Sequence, residues 1–504
     1  MKTTTGLSLA ALLLAAGPFT VHGAAAAPGL RIGLQDDVDF LDPARSRSYV
    51  TRIVLASLCD KLVDTKPDLT FVPQLALSWT WSADNKVLTL KLRPGVTFQD
   101  GEAFDAAAVK FNLDRYRTLP ESLRKSELAS VDRVDVVDAL TVNLVLKQAD
   151  AALLAQLTDR SGMMMAPKAT AEGNPTAHPV CSGPFKFGER VAQDRIVLDR
   201  FPAYWNAGAY HLDRVAFMPI PDTTVRLANL QSGGLDLIER MAATDVKAAE
   251  ADPKLQVLSI PGLSFYTLEI NVSGPNAQTP MGQDKRVRQA FDLAIDRDAI
   301  NQAVFEGRYV PGDQPFAPAS PYHLDLPVPG RDIDKAKALL KAAGVTAPVP
   351  VKLTVDNSTT SQQVGQVLQA MVAEAGFDLQ LQTTEFATLL SQTQAGNFQV
   401  TFTGWSGRVD PDGDIHQFVT CKAGLNDMKY CNPQVDELLN GARAVTDPAE
   451  RKAKYAAAMK IVADDKPITY LYFDPRLFGA TKGLKGFVPH PDGMIRLQNV
   501  TLDK

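Results

Sequence analysis

Several absences narrow the reading before any motif is found. The chain has neither a C-x-x-C pair nor an H-E-x-x-H run, and its six histidines are scattered, so nothing marks a zinc site built from side chains. It has no G-x-x-x-x-G-K-[ST] loop to cradle phosphates and no G-x-G-x-x-G fingerprint for a dinucleotide. Lys and Arg number 52 against 57 Asp and Glu and form no cluster, which argues against nucleic acid or an anionic membrane as partner. No internal repeat and no low-complexity linker divides the chain. Beyond its first thirty residues it has no apolar stretch of membrane-spanning length.

Two near-misses fail on spacing. GWSGR at 404–408 is not the nucleophile elbow G-x-S-x-G, because Gly407 comes one residue early. Asp410, Asp412 and Asp414 resemble the start of a calcium loop, but Ile415 and Cys421 stand where the turn glycine and the bidentate glutamate are required. No catalytic constellation, cofactor site or metal site is therefore expected, and the chain reads as a binding protein.

What is present begins with an export signal. Lys2 supplies a positive start, LSLAALLLAA at 7–16 an apolar core too short to span a bilayer, and Ala24–Ala27 small residues for cleavage, so residues 1–27 read as a signal peptide. No cysteine follows closely enough to carry a lipid anchor, and the mature chain is expected in the periplasm. Four cysteines suit an oxidising compartment. Cys421 and Cys431 flank the polar stretch KAGLNDMKY and are expected to form a disulfide; whether Cys59 and Cys181 meet stays open.

Apolar spacing then sketches the fold. Strict alternation predicts strands at 86–92, 140–146 and 195–199, the first closed by a turn at Pro94-Gly95. The second half changes to helical spacing: one or two helices over 285–305 behind the N-cap Asp284, another at 334–343 stopped by Gly344, and more at 433–443 and 448–463. Alternation at 351–355, a helical stripe from Val364 to Val372, a stop at Gly376 and renewed alternation at 377–381 predict a right-handed β-α-β unit, hence an α/β domain. VTFTGW at 400–405 reads as a buried strand that ends at a loop holding Trp405, Arg408 and Asp410.

The order and spacing of FLDPARS at 40–46, the stretch from LCDKLVDTKPDL to AAAVKFNLDR at 58–115, SGPFKF at 182–187, YWN at 204–206, KRVRQAFDLAIDRDAI at 285–300 and YCNPQVDELL at 430–439 resemble solute-binding protein family 5. Members of that family are extracellular receptors that serve bacterial ABC importers of dipeptides, oligopeptides, nickel chelates and related solutes. The resemblance implies an α/β, two-lobed periplasmic binding protein of type II, of the large class with an extra inserted domain. Lobe I is expected from 28–57, 179–269 and 475–504, the inserted domain from 58–178 and lobe II from 270–474, with two crossings as a hinge. It also implies a monomer that hands a small-molecule ligand to a membrane permease and its ATPase.

For the site, Trp405 offers a rigid apolar face to floor a polar ligand. Arg408 could seat a carboxylate bidentately, or pair internally with Asp410 or Asp412. Peptide-binding relatives resemble this chain around 354–361 but carry an arginine clamp there, where this sequence has TVDNSTTS with Asn357. The departure points away from an ordinary dipeptide and toward a carboxylated, peptide-like solute such as an opine, a modified amino acid or a γ-linked peptide. Phe40, Ser182 and Asn271 are further cleft candidates on loops that the resemblance places there. A nickel or metal-chelate receptor, with His416 completing the coordination, is the alternative.

Overall fold

The computed structural model describes residues 29–503, and the expected signal peptide lies outside the described residues. Three large sheets organise the chain. A seven-stranded mixed sheet runs in the order Leu255–Ile260, Arg476–Thr481, Leu237–Ile238, Gly29–Leu34, Arg214–Pro219, Arg195–Arg200, Phe185–Val191. Its central strand Gly29–Leu34 pairs in parallel with Arg214–Pro219 and Leu237–Ile238 and is buried on its core side through Leu30, Ile32 and Leu34. Leu30, Ile32 and Leu34 alternate toward that core while the Arg31 side chain stays partly exposed.

A six-stranded sheet runs Val310–Pro311, Ile468–Phe473, Phe265–Ile270, Val400–Trp405, Val349–Asp356, Phe377–Thr384. The expected β-α-β unit is there: Val349–Asp356 and Phe377–Thr384 pair in parallel, and helix Thr359–Ala373 crosses between them with Val364, Leu368 and Val372 buried. Gly376 stops it at φ 99°. The 285–305 pattern resolves into two helices, Lys285–Leu293 and Arg297–Phe305, because Asp296 caps the second through the Ala299 N–H. Residues 265–268 already belong to this sheet, so it starts slightly before the boundary expected at 270. Phe265–Ile270 has buried residues on both faces, and no change of pattern announces it.

The third sheet is an antiparallel four-stranded one, Ala76–Trp81, Val87–Leu92, Thr141–Leu146, Val131–Asp138, packed by helix Ala106–Thr118. The chain passes between the first two sheets at 261–264 and at 474–475. These crossings touch: Ser264 Oγ donates to the Asp474 carboxylate, and a Cβ on Gly262 would come 2.5 Å from the Asp474 carbonyl oxygen. Cys421–Cys431 and Cys59–Cys181 are both disulfide-bonded, the second tying the end of helix Tyr49–Leu58 to the residue before Ser182. No helix among the described residues is long and apolar enough to cross a membrane.

Candidate functional site: the cavity between the two large sheets

A cavity lies between the seven-stranded and six-stranded sheets. One side of its wall comes from Gln35, Arg47, Ser48, Tyr49 and Arg240, the other from Phe265, Tyr266, Glu269, Asp356, Trp405 and Phe418. The strand ends place these side chains: Gln35 follows Gly29–Leu34, Arg240 follows Leu237–Ile238, and Trp405 closes Val400–Trp405. Gly404 is glycine for a steric reason, since a Cβ there would stand 2.7 Å from the Tyr266 ring. Its absence lets Tyr266 lie across the neighbouring strand, stacked on Phe402 and Tyr472.

Arg240 is the most telling residue of the wall. Its backbone is held at φ 45°, a left-handed conformation that costs a bulky residue of the order of 1 kcal/mol and that tends to persist where the surrounding structure imposes it for a purpose. Its side chain is only 13% exposed. Even so, no acceptor among the described residues takes a hydrogen bond from its guanidinium, and Nε is buried without a partner. The nearest carboxylates are Asp36 at 3.8 Å and Glu239 at 3.9 Å. The group lies 4.4 Å over the Tyr49 ring and 6.0 Å from that of Tyr266. Burial works against its charge, but Tyr266 and Glu239 hold its pKa well above the ordinary value, so it stays a cation. A buried cation with unused donors has the chemistry to take an anion.

The other charges of the cavity are mostly committed. Arg47 forms an ion pair of 2.7 Å with Asp427. The Asp356 carboxylate accepts from the Ser358 N–H and the Ser361 hydroxyl. Glu269 is buried and makes no ion pair among the described residues; burial, then repulsion from Asp427, pushes its carboxyl up to about 8. Asp36, just behind the wall, is pushed well above the carboxylate range by burial and by Asp356. The cavity thus presents a cation with free donors at Arg240, the carboxyl groups of Glu269 and Asp356, and aromatic faces.

Of the residues singled out from the sequence, Trp405 lines this cavity. Its indole N–H donates to Asp414 at 3.1 Å and its ring meets Phe418 edge-on at 4.9 Å. Arg408 stands behind it, stacked on the indole at 4.0 Å, and is committed to Asp159 at 2.7 Å, a partner neither Asp410 nor Asp412 supplies. Burial and the neighbouring Arg52 pull its pKa down to about 10. Asp410 is held by both terminal nitrogens of Arg451 at 2.8 Å. Asn357 is exposed outside the wall, which its neighbour Asp356 enters. Phe40 lies on the surface under the Arg45 guanidinium. Asn271 ties the Gly396 and Phe398 carbonyls, and Ser182 donates to the Met164 carbonyl, both as buried structural groups. His416 bonds Asn440 on helix Asp412–Val419, where burial lowers its pKa to about 4, and it does not reach the cavity. Arg240 and Tyr266 escaped the sequence reading because neither IERMAAT at 238–244 nor FYTLEI at 265–270 contains a pattern that separates a site residue from a surface or core one.

Comparison with known proteins agrees with this architecture. A glutathione-binding protein, GsiB, of Pectobacterium atrosepticum is 30% identical over 476 residues, covering 92% of each chain. The solved structure of AgaA from A. tumefaciens R10, in complex with agropinic acid, superposes with a TM-score of 0.86 at 26% identity, covering 94% of this chain and 99% of that one. The murein tripeptide binding protein MppA of Escherichia coli shares the fold at a TM-score of 0.88 and 23% identity, covering 95% and 99%. The model of bacterial extracellular solute-binding proteins, family 5 middle, matches residues 70–426. With these matches, the chain belongs to the family 5 extracellular solute-binding proteins, whose members are receptors that serve ABC transporters and not enzymes.

Proposed function

We propose that this protein is a periplasmic receptor that captures a carboxylated, peptide-like solute between two lobes and delivers it, as a monomer, to an ABC permease and its ATPase. In this reading the seven-stranded sheet is the core of lobe I, the six-stranded sheet that of lobe II, and the four-stranded sheet the inserted domain, with the crossings at 261–264 and 474–475 as the hinge. Lobe I comprises 28–57, 179–269 and 475–504, the inserted domain 58–178 and lobe II 270–474, with the boundary at 270 moved back to the crossing at 261–264. The observation that carries the proposal is the Arg240 guanidinium in the cavity wall, which faces Asp36 and Glu239 only at 3.8 and 3.9 Å and whose buried Nε has no hydrogen-bond partner among the described residues. Supporting it are Trp405 and Tyr266 as flat surfaces for the ligand's backbone, and Glu269 and Asp356 as acceptors for an ammonium. The likeness to a glutathione-binding protein and to a receptor crystallised with agropinic acid supports the same ligand class.

The test is a thermal-shift screen of the mature protein against dipeptides, glutathione, opines and nickel chelates, followed by calorimetry with the hit. A ligand that binds only the native state raises Tm by mass action. Loss of one charge-assisted bidentate contact costs about 1.5–3 kcal/mol, so Arg240→Ala should weaken binding by about 10- to 150-fold. Arg240→Lys should recover part of it, because an ammonium cannot reproduce the planar fork. A folded Arg240→Ala protein with unchanged affinity for a carboxylated hit, or a screen in which only nickel chelates bind, overturns the proposal.

A further inference from the structure

Where the three sheets meet, the chain buries more positive than negative charge. Arg52 on helix Tyr49–Leu58, Arg124 and Arg160 from the part of the chain that carries the four-stranded sheet, and Arg408 after strand Val400–Trp405 are each less than a tenth exposed, and Arg124 and Arg160 are fully buried. None of the four lines the cavity between the two large sheets. Two carboxylates answer them: Asp159 takes Arg52 at 2.8 Å and Arg408 at 2.7 Å, and Glu127 takes Arg124. Asp414, an acid close to Arg408, is pushed well above the carboxylate range by burial and is held neutral; counted as an anion it still leaves a cation over. The buried arginines nearby differ in this respect, since Arg443 and Arg451 each grip both oxygens of a carboxylate of their own, Asp412 and Asp410.

The surplus falls on Arg160. Its Nη1 donates to the Ser46 carbonyl at 2.8 Å and Arg124 Nη2 donates to the same oxygen at 3.3 Å, so two cations meet on one neutral acceptor. The carboxylate within reach of Arg160, Asp159, stays 3.8 Å from its Nε and is already shared by two other guanidiniums. Among the described residues, Arg160 Nε and Nη2, Arg124 Nε and the Ser46 hydroxyl have no hydrogen-bond partner. The two Arg160 nitrogens lie on one edge of the guanidinium and present parallel N–H groups to a single acceptor. Burial and the charge of Arg124 push the Arg160 pKa well below its ordinary value. A guanidinium does not release its proton inside a protein, so the balance has to come from a negative charge rather than from titration.

We infer that Arg124 and Arg160 form a binding site for a small monovalent anion, a halide, at the junction of the three sheets. The free edge of Arg160 suits any anion, but both guanidiniums are fully buried, which favours the smallest one. A monatomic anion also accepts N–H and O–H groups from any direction, as donors from three separate segments require. The anion lies beside Ser46, which precedes Arg47 of the cavity wall, and beside Asp159, which holds Arg408 behind Trp405. It therefore stabilises the wall of the cleft without touching the solute, and the site stands independently of how Arg240 is used.

The test starts from the mature protein in sodium gluconate, into which sodium chloride is titrated at fixed ionic strength while Tm is followed. Tm should rise by a few degrees and saturate, as for a ligand that binds only the native state, and sodium bromide should act in the same way. Crystals grown in sodium bromide should show an anomalous peak within hydrogen-bond distance of Arg160 Nε and Nη2. Arg160→Met, which removes one cation with its free donors, should lose the saturable rise. A Tm that follows chloride without saturation, or that rises equally in Arg160→Met, is a solvent effect and overturns the inference. Bromide peaks confined to the surface mean an adventitious ion only and overturn it as well. Sodium formate that raises Tm at lower concentration than chloride assigns the site to a carboxylate and overturns the halide. If Arg160→Met does not fold, the wild-type titration and the bromide map decide the question by themselves.

Discussion

Asp159 is the carboxylate whose loss should be felt most. It sits where the three sheets meet, in ion pairs with Arg52 at 2.8 Å and Arg408 at 2.7 Å, and it accepts from the Arg160 backbone N–H at 2.7 Å. All three side chains of these ion pairs are less than a tenth exposed. Arg124 and Arg160, both fully buried, stand alongside, and Glu127 is the second acid of the group, bound to Arg124 and Ser161. Four guanidiniums thus share two carboxylates, and Asp159→Asn would leave them with Glu127 alone. Removing one partner of a buried pair costs about 3–5 kcal/mol, mostly because the remaining charge stays desolvated. Denaturant and thermal unfolding of the variant should show a loss of that order. The Arg52 and Arg408 charges hold the Asp159 carboxyl well below its ordinary range, against the effect of burial. Its stabilisation is therefore present above the unfolded carboxylate pKa and lost as pH falls, so the variant should lack the part of the acid-induced loss that the wild type shows. Asp159→Asn/Arg408→Met should recover part of the stability, since it removes one of the guanidiniums that Asp159→Asn leaves buried without a carboxylate. An Asp159→Asn protein within about 1 kcal/mol of the wild type, below what any buried pair of this kind should cost, refutes the reasoning, as does a double variant less stable than the single one.

Two further outcomes follow from the cleft. Burial and Asp427 raise the Glu269 carboxyl from 4.5 to about 8, so its contribution to stability is fully present below the lower value and lost as pH rises through the upper one. Glu269→Gln should therefore flatten the decline in Tm over that interval and exceed the wild type above it, and parallel Tm–pH curves would refute the assignment. Closure of the two lobes on ligand should appear as a smaller radius of gyration in small-angle scattering at saturation. An unchanged radius would remove the hinge at 261–264 and 474–475 from the mechanism.

Local physics carried much of the fold into the sequence. The strand Val400–Trp405, the helices behind Asp284 and Asp332, the stops at Gly344 and Gly376 and the parallel pair around helix Thr359–Ala373 were all readable, because caps, left-handed glycines and apolar periods act over a few residues. The Cys421–Cys431 bridge was readable for the same reason, being closed over a short polar loop. The motifs also placed Trp405 at a strand end, where it lines the cavity.

What the sequence could not assign were the partners of its charges. Arg408 and Arg240 are equally plausible guanidiniums as residues in a string. Arg408 is consumed by Asp159, which arrives from the other side of the molecule only when the three sheets assemble. Arg240 keeps its donors free because its turn is held at φ 45° and the nearest carboxylates remain at 3.8 and 3.9 Å. Similarly, Cys59 meets Cys181 only because the first and second segments of the seven-stranded half fold together. Periodicity and capping are set by neighbours in sequence, and so the chain alone determined its elements, its family and its role as a receptor. Which buried charge is neutralised from within, and which is left for a ligand, depends on distances between remote segments, and only the tertiary structure decided that.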